Sequence, residues 1–388
     1  MEAHALSLAA AAENNAESAP LAYLVVVRKG PTWEIADLEP FCRLLSRRFA
    51  GEVWSFGSYE ADMIIGRIRL RIVPERDLQY VANRVRFVRR ALGWIADLRA
   101  SRPPGLAFVA LEPFIGGPVA WFAARRAGGA LLCEVNGVYA SRHNTPQALL
   151  GRLRVRLRRL VGSFVLRRAN AVRVLFTDQL RDFVQLPPRV VIRQFFETTN
   201  LAAFYPGPEE HIILGVGFPF RVKGFDLLCE AFHRVAERFP DWKLVLIGFQ
   251  VPETVRESGL EHPRIESHPG LKQAQIAEWM ARCAIFALPS RTEAMGRVLL
   301  EAGAAGKCRL AARIEGIPTV LEDGVDGVLV PPESVDALAA ALERLMGNPE
   351  RRRRLGAAAQ QRVGREFSAE AYLEHYAEWV SAALRSRS

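Results

Sequence analysis

No Cys-x-x-Cys pair occurs in this chain, and its five cysteines (Cys42, Cys133, Cys229, Cys283 and Cys308) stand singly. That scatter excludes a disulfide framework and a cysteine zinc site, and fits reduced, buried thiols. No apolar run approaches the ~18 residues that a membrane-spanning helix requires. The first 20 residues have acidic Glu2 where a secretion signal carries Lys or Arg, and their apolar part is mostly alanine. They read as a disordered lead-in. The histidines stand at no metal-ligand spacing, so no metal is expected. No nucleic-acid-binding motif accompanies the basic residues, so no nucleic-acid partner is expected either.

Acid is also scarce, but only in one half. Residues 1–205 hold 29 Lys and Arg against 17 Asp and Glu, a net of +12. Residues 206–388 hold 23 against 25, a net of −2. The asymmetry suggests that the first half faces something acidic, such as a membrane surface, a charged glycan or nucleic acid. Residues 151–168 concentrate the effect, with seven arginines and no acid. Leu149, Leu153, Leu157, Leu160, Val161 and Phe164 recur there at helical spacing opposite the arginines. Such a helix can lie on anionic lipid; equally, it can cover a sheet with its arginine stems packed along it. The run Arg67–Arg71 alternates at period two and reads as a strand with one wet face.

What is present is an alternation of short β-branched runs with helical patterns. Leu24–Val27, Leu106–Leu111, Leu131–Val135 and Val172–Phe176 read as buried parallel strands. The alternation restarts after Tyr205-Pro206-Gly207-Pro208, with strands at Ile212–Val216, Lys243–Ile247, Ala284–Leu288 and near Arg309–Ala312. The Pro/Gly cluster marks a boundary between two doubly wound Rossmann-like α/β domains, 21–205 and 206–367. Paired in this way, such domains hold a ligand between them, at the carboxyl ends of their strands.

Two loops in the second domain carry the chemistry. After strand Ile212–Val216 comes Gly217-Phe218-Pro219-Phe220-Arg221-Val222-Lys223-Gly224, where Lys223 and a helix N-terminus can meet phosphate oxygens together. After the strand ending at Leu288 comes Pro289-Ser290-Arg291-Thr292-Glu293-Ala294-Met295-Gly296-Arg297. The amides of Met295, Gly296 and Arg297 point from the start of a helix as an anion cradle. Glu293 precedes the cradle and Glu301 follows it by more than a turn. A carboxylate on either side of such a cradle suits a ligand with hydroxyls at both ends and phosphates between, the form of a nucleotide sugar.

The order Gly217…Lys223-Gly224…Pro289-Ser290…Glu293-x7-Glu301…Gly316-Ile317-Pro318…Glu322-Asp323-Gly324…Gly327…Val330-Pro331-Pro332 resembles the C-terminal domain of the retaining family-four glycosyltransferases, which have the GT-B fold. The resemblance is close over about 212–367 and loose over 21–205. It implies an enzyme, a hexosyltransferase moving sugar from a UDP- or GDP-sugar donor to a glycan or lipid-linked acceptor. Cell-surface polysaccharide synthesis in the cytoplasm, peripheral to the inner membrane face, is the setting it implies. Lys223 would hold the diphosphate and Glu293 would face the donor sugar beside the reacting carbon. The Met295–Arg297 amides would take phosphate and sugar oxygens, Glu301 the ribose hydroxyls, and the backbone near Gly270 the base. Residues 368–388 would form a helix crossing back to the first domain. Such enzymes use no metal or other cofactor, and this chain has no Asp-x-Asp.

Four positions depart from the family pattern. Phe218 replaces an arginine beside Gly217, and Arg221 is the preferred substitute for the lost charge, ahead of Arg297. Asn136 stands where a histidine usually lies near the sugar, with His143 close enough in sequence to reach an acceptor. The first loop keeps only Gly30 of a glycine pair. Gly248-Phe249-Gln250 replaces a Gly-Asp-Gly-like turn. These departures leave open a nucleotide-binding relative that partners another transferase, while the Glu293-x7-Glu301 spacing speaks against a nucleotide-sugar epimerase.

Overall fold

The computed structural model describes residues 19–28, 35–57, 59–74, 80–139, 149–183, 185–197 and 200–387. Gly30, His143 and most of the amino-terminal lead-in lie outside them. The first half is built on strands β1 (Tyr23–Val27), β2 (Ala50–Gly57), β3 (Ala61–Ile65), β4 (Ile68–Pro74), β5 (Leu106–Ala110), β6 (Ala130–Val135), β7 (Ala171–Val174) and β8 (Val191–Gln194). Its helices are α1 (Ile35–Ser46), α2 (Tyr80–Ser101), α3 (Gly116–Ala127) and α4 (Leu149–Leu166). The strands lie in the order β3-β4-β2-β1-β5-β6-β7-β8. All pair in parallel except β3, which runs antiparallel to β4 at the edge.

The second half has strands β9 (Ile212–Val216), β10 (Lys243–Ile247), β11 (Ile265–His268), β12 (Ile285–Leu288), β13 (Cys308–Ala312) and β14 (Val328–Val330). They form one parallel sheet ordered β11-β10-β9-β12-β13-β14. Around it lie α5 (Phe225–Val235), α6 (Val251–Glu257), α7 (Gln273–Arg282), α8 (Arg297–Ala304), α9 (Ile317–Val320), α10 (Val335–Met346) and α11 (Pro349–Glu366). Central strands such as β9 and β12 are buried at every position, as expected for a sheet covered on both faces. The order reverses between β1 and β5 in one sheet and between β9 and β12 in the other. Each reversal opens a crevice at the carboxyl ends of the strands, and these two crevices position everything that follows.

The last helix, α12 (Ala369–Arg385), packs on β6, β7, β8 and α1 of the first sheet. Its N-terminus is capped by Ser368, whose hydroxyl accepts from the Ala371 N–H at 3.1 Å. Tyr372, Tyr376 and Trp379 surround Phe195 of the connection between the halves. One continuous apolar core, holding residues of both sheets and of α12, joins the halves. All five cysteines are free and buried.

Two patterns differ from the sequence reading. On β4 the wet face stops at Arg69, which pairs with Asp62 at 2.6 Å. Arg71 is buried, 3.3 Å from Glu52, with its guanidinium over the Trp94 ring of α2. The helix covers a position that alternation alone assigns to water. On α4 the residues that pack inward are Gly162, Ser163, Val165 and Leu166. Leu153, Leu157 and Leu160 remain 61, 59 and 67% exposed. That apolar stripe therefore does not cover the sheet.

Candidate nucleotide-sugar site

The loops after β9 and β12 meet at the second crevice. Gly217 follows β9 at φ 151°, and a Cβ there would lie 3.0 Å from the Lys223 side chain, so glycine gives the lysine room to fold across the strand end. Lys223 Nζ reaches Glu293 Oε2 at 2.5 Å, and both side chains are mostly buried. Gly296, at φ 76°, turns the chain into α8, and no side chain caps that helix start. A Cβ on Gly296 would sit 3.4 Å from Glu293 Cγ, so lysine, glutamate and helix N-terminus share one small space. Ammonium and carboxylate neutralise one another there while the N–H groups remain open to an anion.

Glu301 lies in the second turn of α8, partly buried. Burial raises its pKa, and Arg297 opposes the rise only in part. Among the described residues it has no hydrogen-bonded partner, and a carboxylate held out of water in this way gains most from ligand hydroxyls. Met295 is buried, so its contribution to the cradle is its backbone amide. Arg297 is exposed in the first turn of α8. Arg221 is 82% exposed and leans towards Asp226 at 3.7 Å, so nothing fixes it in the cradle. Gly270, just beyond β11, lies beside the backbone of Phe249. Phe218 meets Phe249 edge-on at a centroid distance of 5.4 Å. The two loop departures from the family pattern are thus neighbours, and an exposed aromatic pair stands at the crevice edge.

Two residues that motif reading passed over hold these loops. Arg291 donates to both Asp226 oxygens, Nη1 to Oδ1 at 2.7 Å and Nη2 to Oδ2 at 2.9 Å. Its own N–H donates to the Val222 carbonyl at 2.8 Å. This bidentate pair ties the Glu293 loop to the Lys223 loop. Glu315 accepts from Thr292 Oγ1 at 2.8 Å and from the Glu293 N–H at 2.6 Å. It does so from φ 40°, a backbone region that costs a non-glycine residue about 1 kcal/mol or more. The only sequence signal was its place beside the quoted Gly316-Ile317-Pro318.

The first crevice is arranged differently. Glu112 follows β5 and accepts from the N–H groups of Phe114 and Ile115, each at 2.8 Å, and from that of Gly116. The start of α3 is therefore filled by the protein's own carboxylate. Asn136, expected near the sugar, is locked in a network. Its Nδ2 donates to the Leu111 carbonyl and to Glu134 Oε2, both at 3.0 Å, and its Oδ1 accepts from Arg173. Arg173 is buried and donates to Glu134 at 2.6 Å and to the Phe196 carbonyl at 2.9 Å. With both amide protons committed, Asn136 fixes the end of β6 and has no donor left for a ligand hydroxyl.

The segment containing the second crevice, residues 200–362, matches the family model described as Glycosyl transferases group 1. A D-inositol 3-phosphate glycosyltransferase of Xylanimonas cellulosilytica is 35% identical over 178 residues, 43% of this chain and 42% of that protein. The chain spans between 42 and 65% of the length of three such curated relatives. Sucrose-phosphate synthase from Thermosynechococcus elongatus superposes with a TM-score of 0.73 at 19% identity, over 92% of this chain and 98% of that one. HepE from Anabaena, solved with UDP-glucose, superposes with a TM-score of 0.68 at 18% identity, over 92 and 99%. The fold is GT-B, and it extends over both halves. In the matched segment, Lys223, Glu293 and Glu301 all lie on the loops and helix flanking the β9–β12 reversal.

Proposed function

We propose that this chain is a retaining glycosyltransferase that takes a hexose-type sugar from a nucleotide-sugar donor, without a metal or other cofactor. The observation that carries the reading is the Lys223–Glu293 pair set against an uncapped helix start. In this reading the donor diphosphate displaces the carboxylate from Lys223 and takes the ammonium and the α8 amides. Glu293, released, turns to the donor sugar hydroxyls, and Glu301 accepts from the ribose. Negative charge developing on the departing diphosphate meets a fixed cation and a helix dipole in a cleft, where such interactions are strongest. The acceptor attacks from the leaving group's side, which retains configuration.

We assign donor binding to 206–367, acceptor binding to 21–205, and the returning helix to 368–388. A UDP-sugar is the first donor to test, because the fold neighbour HepE was solved with UDP-glucose. Transfer or donor hydrolysis is assayed with a panel of UDP- and GDP-sugars. Lys223→Ala and Glu293→Gln should each lower kcat about 10²–10³-fold, and full turnover in both variants overturns the roles. Nucleotide binding without turnover over a broad acceptor panel would favour the second reading, a nucleotide-binding partner of another transferase. The uncharged Phe218 and the locked Asn136 are the observations on its side.

The acceptor is a glycan or glycolipid at an anionic membrane surface, as in surface polysaccharide synthesis. The exposed Leu153, Leu157 and Leu160 among the α4 arginines support this placement. No described helix is long and apolar enough to cross a membrane, so contact would be peripheral. Co-sedimentation with vesicles containing phosphatidylglycerol should fall with salt and disappear in Leu153→Asp/Leu157→Asp. Equal binding by that variant, or none by the parent protein, removes the membrane from the reading.

A further inference from the structure

At the amino ends of the first sheet's strands, on the side away from the donor crevice, lies a cleft of about 990 Å³. It is lined by Arg99, Arg102, Arg125, Arg126 and Arg387, and among the described residues no carboxylate lines it. The carboxyl ends of α2, α3 and α12 converge here, since these helices end at Ser101, Ala127 and Arg385. Gly128 closes α3 in the left-handed region, and the Arg387 guanidinium reaches it from the chain's end. All five arginines are exposed, and among the described residues no carboxylate pairs with any of their guanidinium groups. Arg126 only leans over the Phe122 ring, 5.4 Å from its centroid.

Helix dipoles do not account for this much charge. A helix carboxyl end carries about −0.5 of an elementary charge, so three together offset about −1.5 of the five positive charges. The remainder is an excess of roughly three and a half charges on planar groups that recognise phosphate in a bidentate manner. Elsewhere in the chain some surface arginines are paired, as are Arg43 with Glu39, Arg90 with Glu60 and Arg282 with Glu210. Among the described residues this cluster is left unpaired around a hollow.

We propose that the five-arginine cleft is a second anion site, which binds a ligand bearing two or more phosphate groups. It stands apart from the donor reading, because it shares no residue with the Lys223–Glu293 crevice. The ligand's phosphates can belong to a soluble oligophosphate or to anionic lipid headgroups, and the chemistry of recognition is the same.

Pyrophosphate is titrated calorimetrically into the full chain carrying Lys223→Ala, which removes the diphosphate grip of the donor crevice. One equivalent should still bind, and salt should weaken it. Adding Arg99→Ala, Arg125→Ala and Arg387→Ala should weaken that binding about 10³-fold, since each of the three charge-assisted contacts is worth about tenfold. The same three positions changed to lysine should retain part of it. These side chains are exposed, so the ligand-free melting temperature should stay put and separates lost binding from lost fold. No pyrophosphate binding in Lys223→Ala, or equal binding after the three alanine changes, overturns the site. Vesicles containing cardiolipin, tested in the Leu153→Asp/Leu157→Asp background so that α4 does not contribute, then identify the source. Parallel loss of vesicle binding assigns the site to lipid headgroups, and retained vesicle binding with lost pyrophosphate binding assigns it to a soluble phosphate.

Discussion

The two halves solve the same junction in opposite ways. In each, a strand beside the reversal of strand order runs into a helix whose first N–H groups face the crevice: β5 into α3, and β12 into α8. In the first half Glu112 bends back and occupies those N–H groups. In the second half Gly296 opens α8 with no capping side chain, and the nearby carboxylate, Glu293, is drawn off by Lys223. A helix start that the chain satisfies itself belongs to the framework. One left open, with a displaceable ion pair beside it, belongs to a ligand. The difference explains why the family motifs concentrate in one half although the fold repeats.

The comparison breaks most visibly if the open junction does not depend on its supports. Glu315 holds Thr292 and the Glu293 N–H, so it sets where the Glu293 carboxylate stands. Glu315→Ala should let that loop shift, and a displacement near 1 Å at a reacting centre costs about 10²-fold. The loss should fall on kcat, with the donor KM changed less, because Lys223 and the α8 amides remain. A KM-only effect would mean that Glu315 shapes donor binding and not the position of Glu293.

Glu301 sharpens the comparison at intermediate size. Burial raises its pKa, so the folded protein holds that proton more tightly than the unfolded chain does. Its ionised form therefore costs stability above the folded pKa, and the cost vanishes below the ordinary carboxylate range. Glu301→Gln should raise the melting temperature at neutral pH and lose that advantage in acid. It should also raise the donor KM about tenfold, the worth of one charge-assisted contact. In the parent protein donor affinity should fall as pH drops through the raised pKa, and that acid limb should be missing in the variant. A melting temperature that drops on substitution would show that Glu301 serves the fold.

Much of this was legible in the sequence, for identifiable reasons. Buried parallel strands read as continuous apolar runs, and the Lys223 and Glu293 loops follow such runs directly. What escaped reading depends on partners distant in sequence. Glu112 looks like any surface acid until α3 folds back onto it. Arg291 and Glu315 bond to partners 65 and 22 residues away, which no local pattern marks. Helix α2 hid because Val85, Val88 and Leu92 face solvent and blur its period. Asn136 was placed near the sugar by alignment with a histidine, but a buried arginine, Arg173, 37 residues away claims its side chain.

The smallest predicted effect is the most discriminating. Glu112→Ala removes an acceptor from three N–H groups at the start of α3, as loss of any good helix cap does. Such losses cost about 1 kcal/mol, or roughly 2–4 °C in a domain of this size. Because Glu112 is framework in this account, kcat and the donor KM should not move once the protein is folded. The freed N–H groups would also form a second open helix start, this one with no lysine beside it among the described residues. Inorganic phosphate should therefore recover part of the lost melting temperature without affecting turnover. Should Glu112→Ala instead depress kcat at an unchanged melting temperature, the closed junction would be catalytic, and the division between a framework half and a ligand half would fail where the two were thought most different.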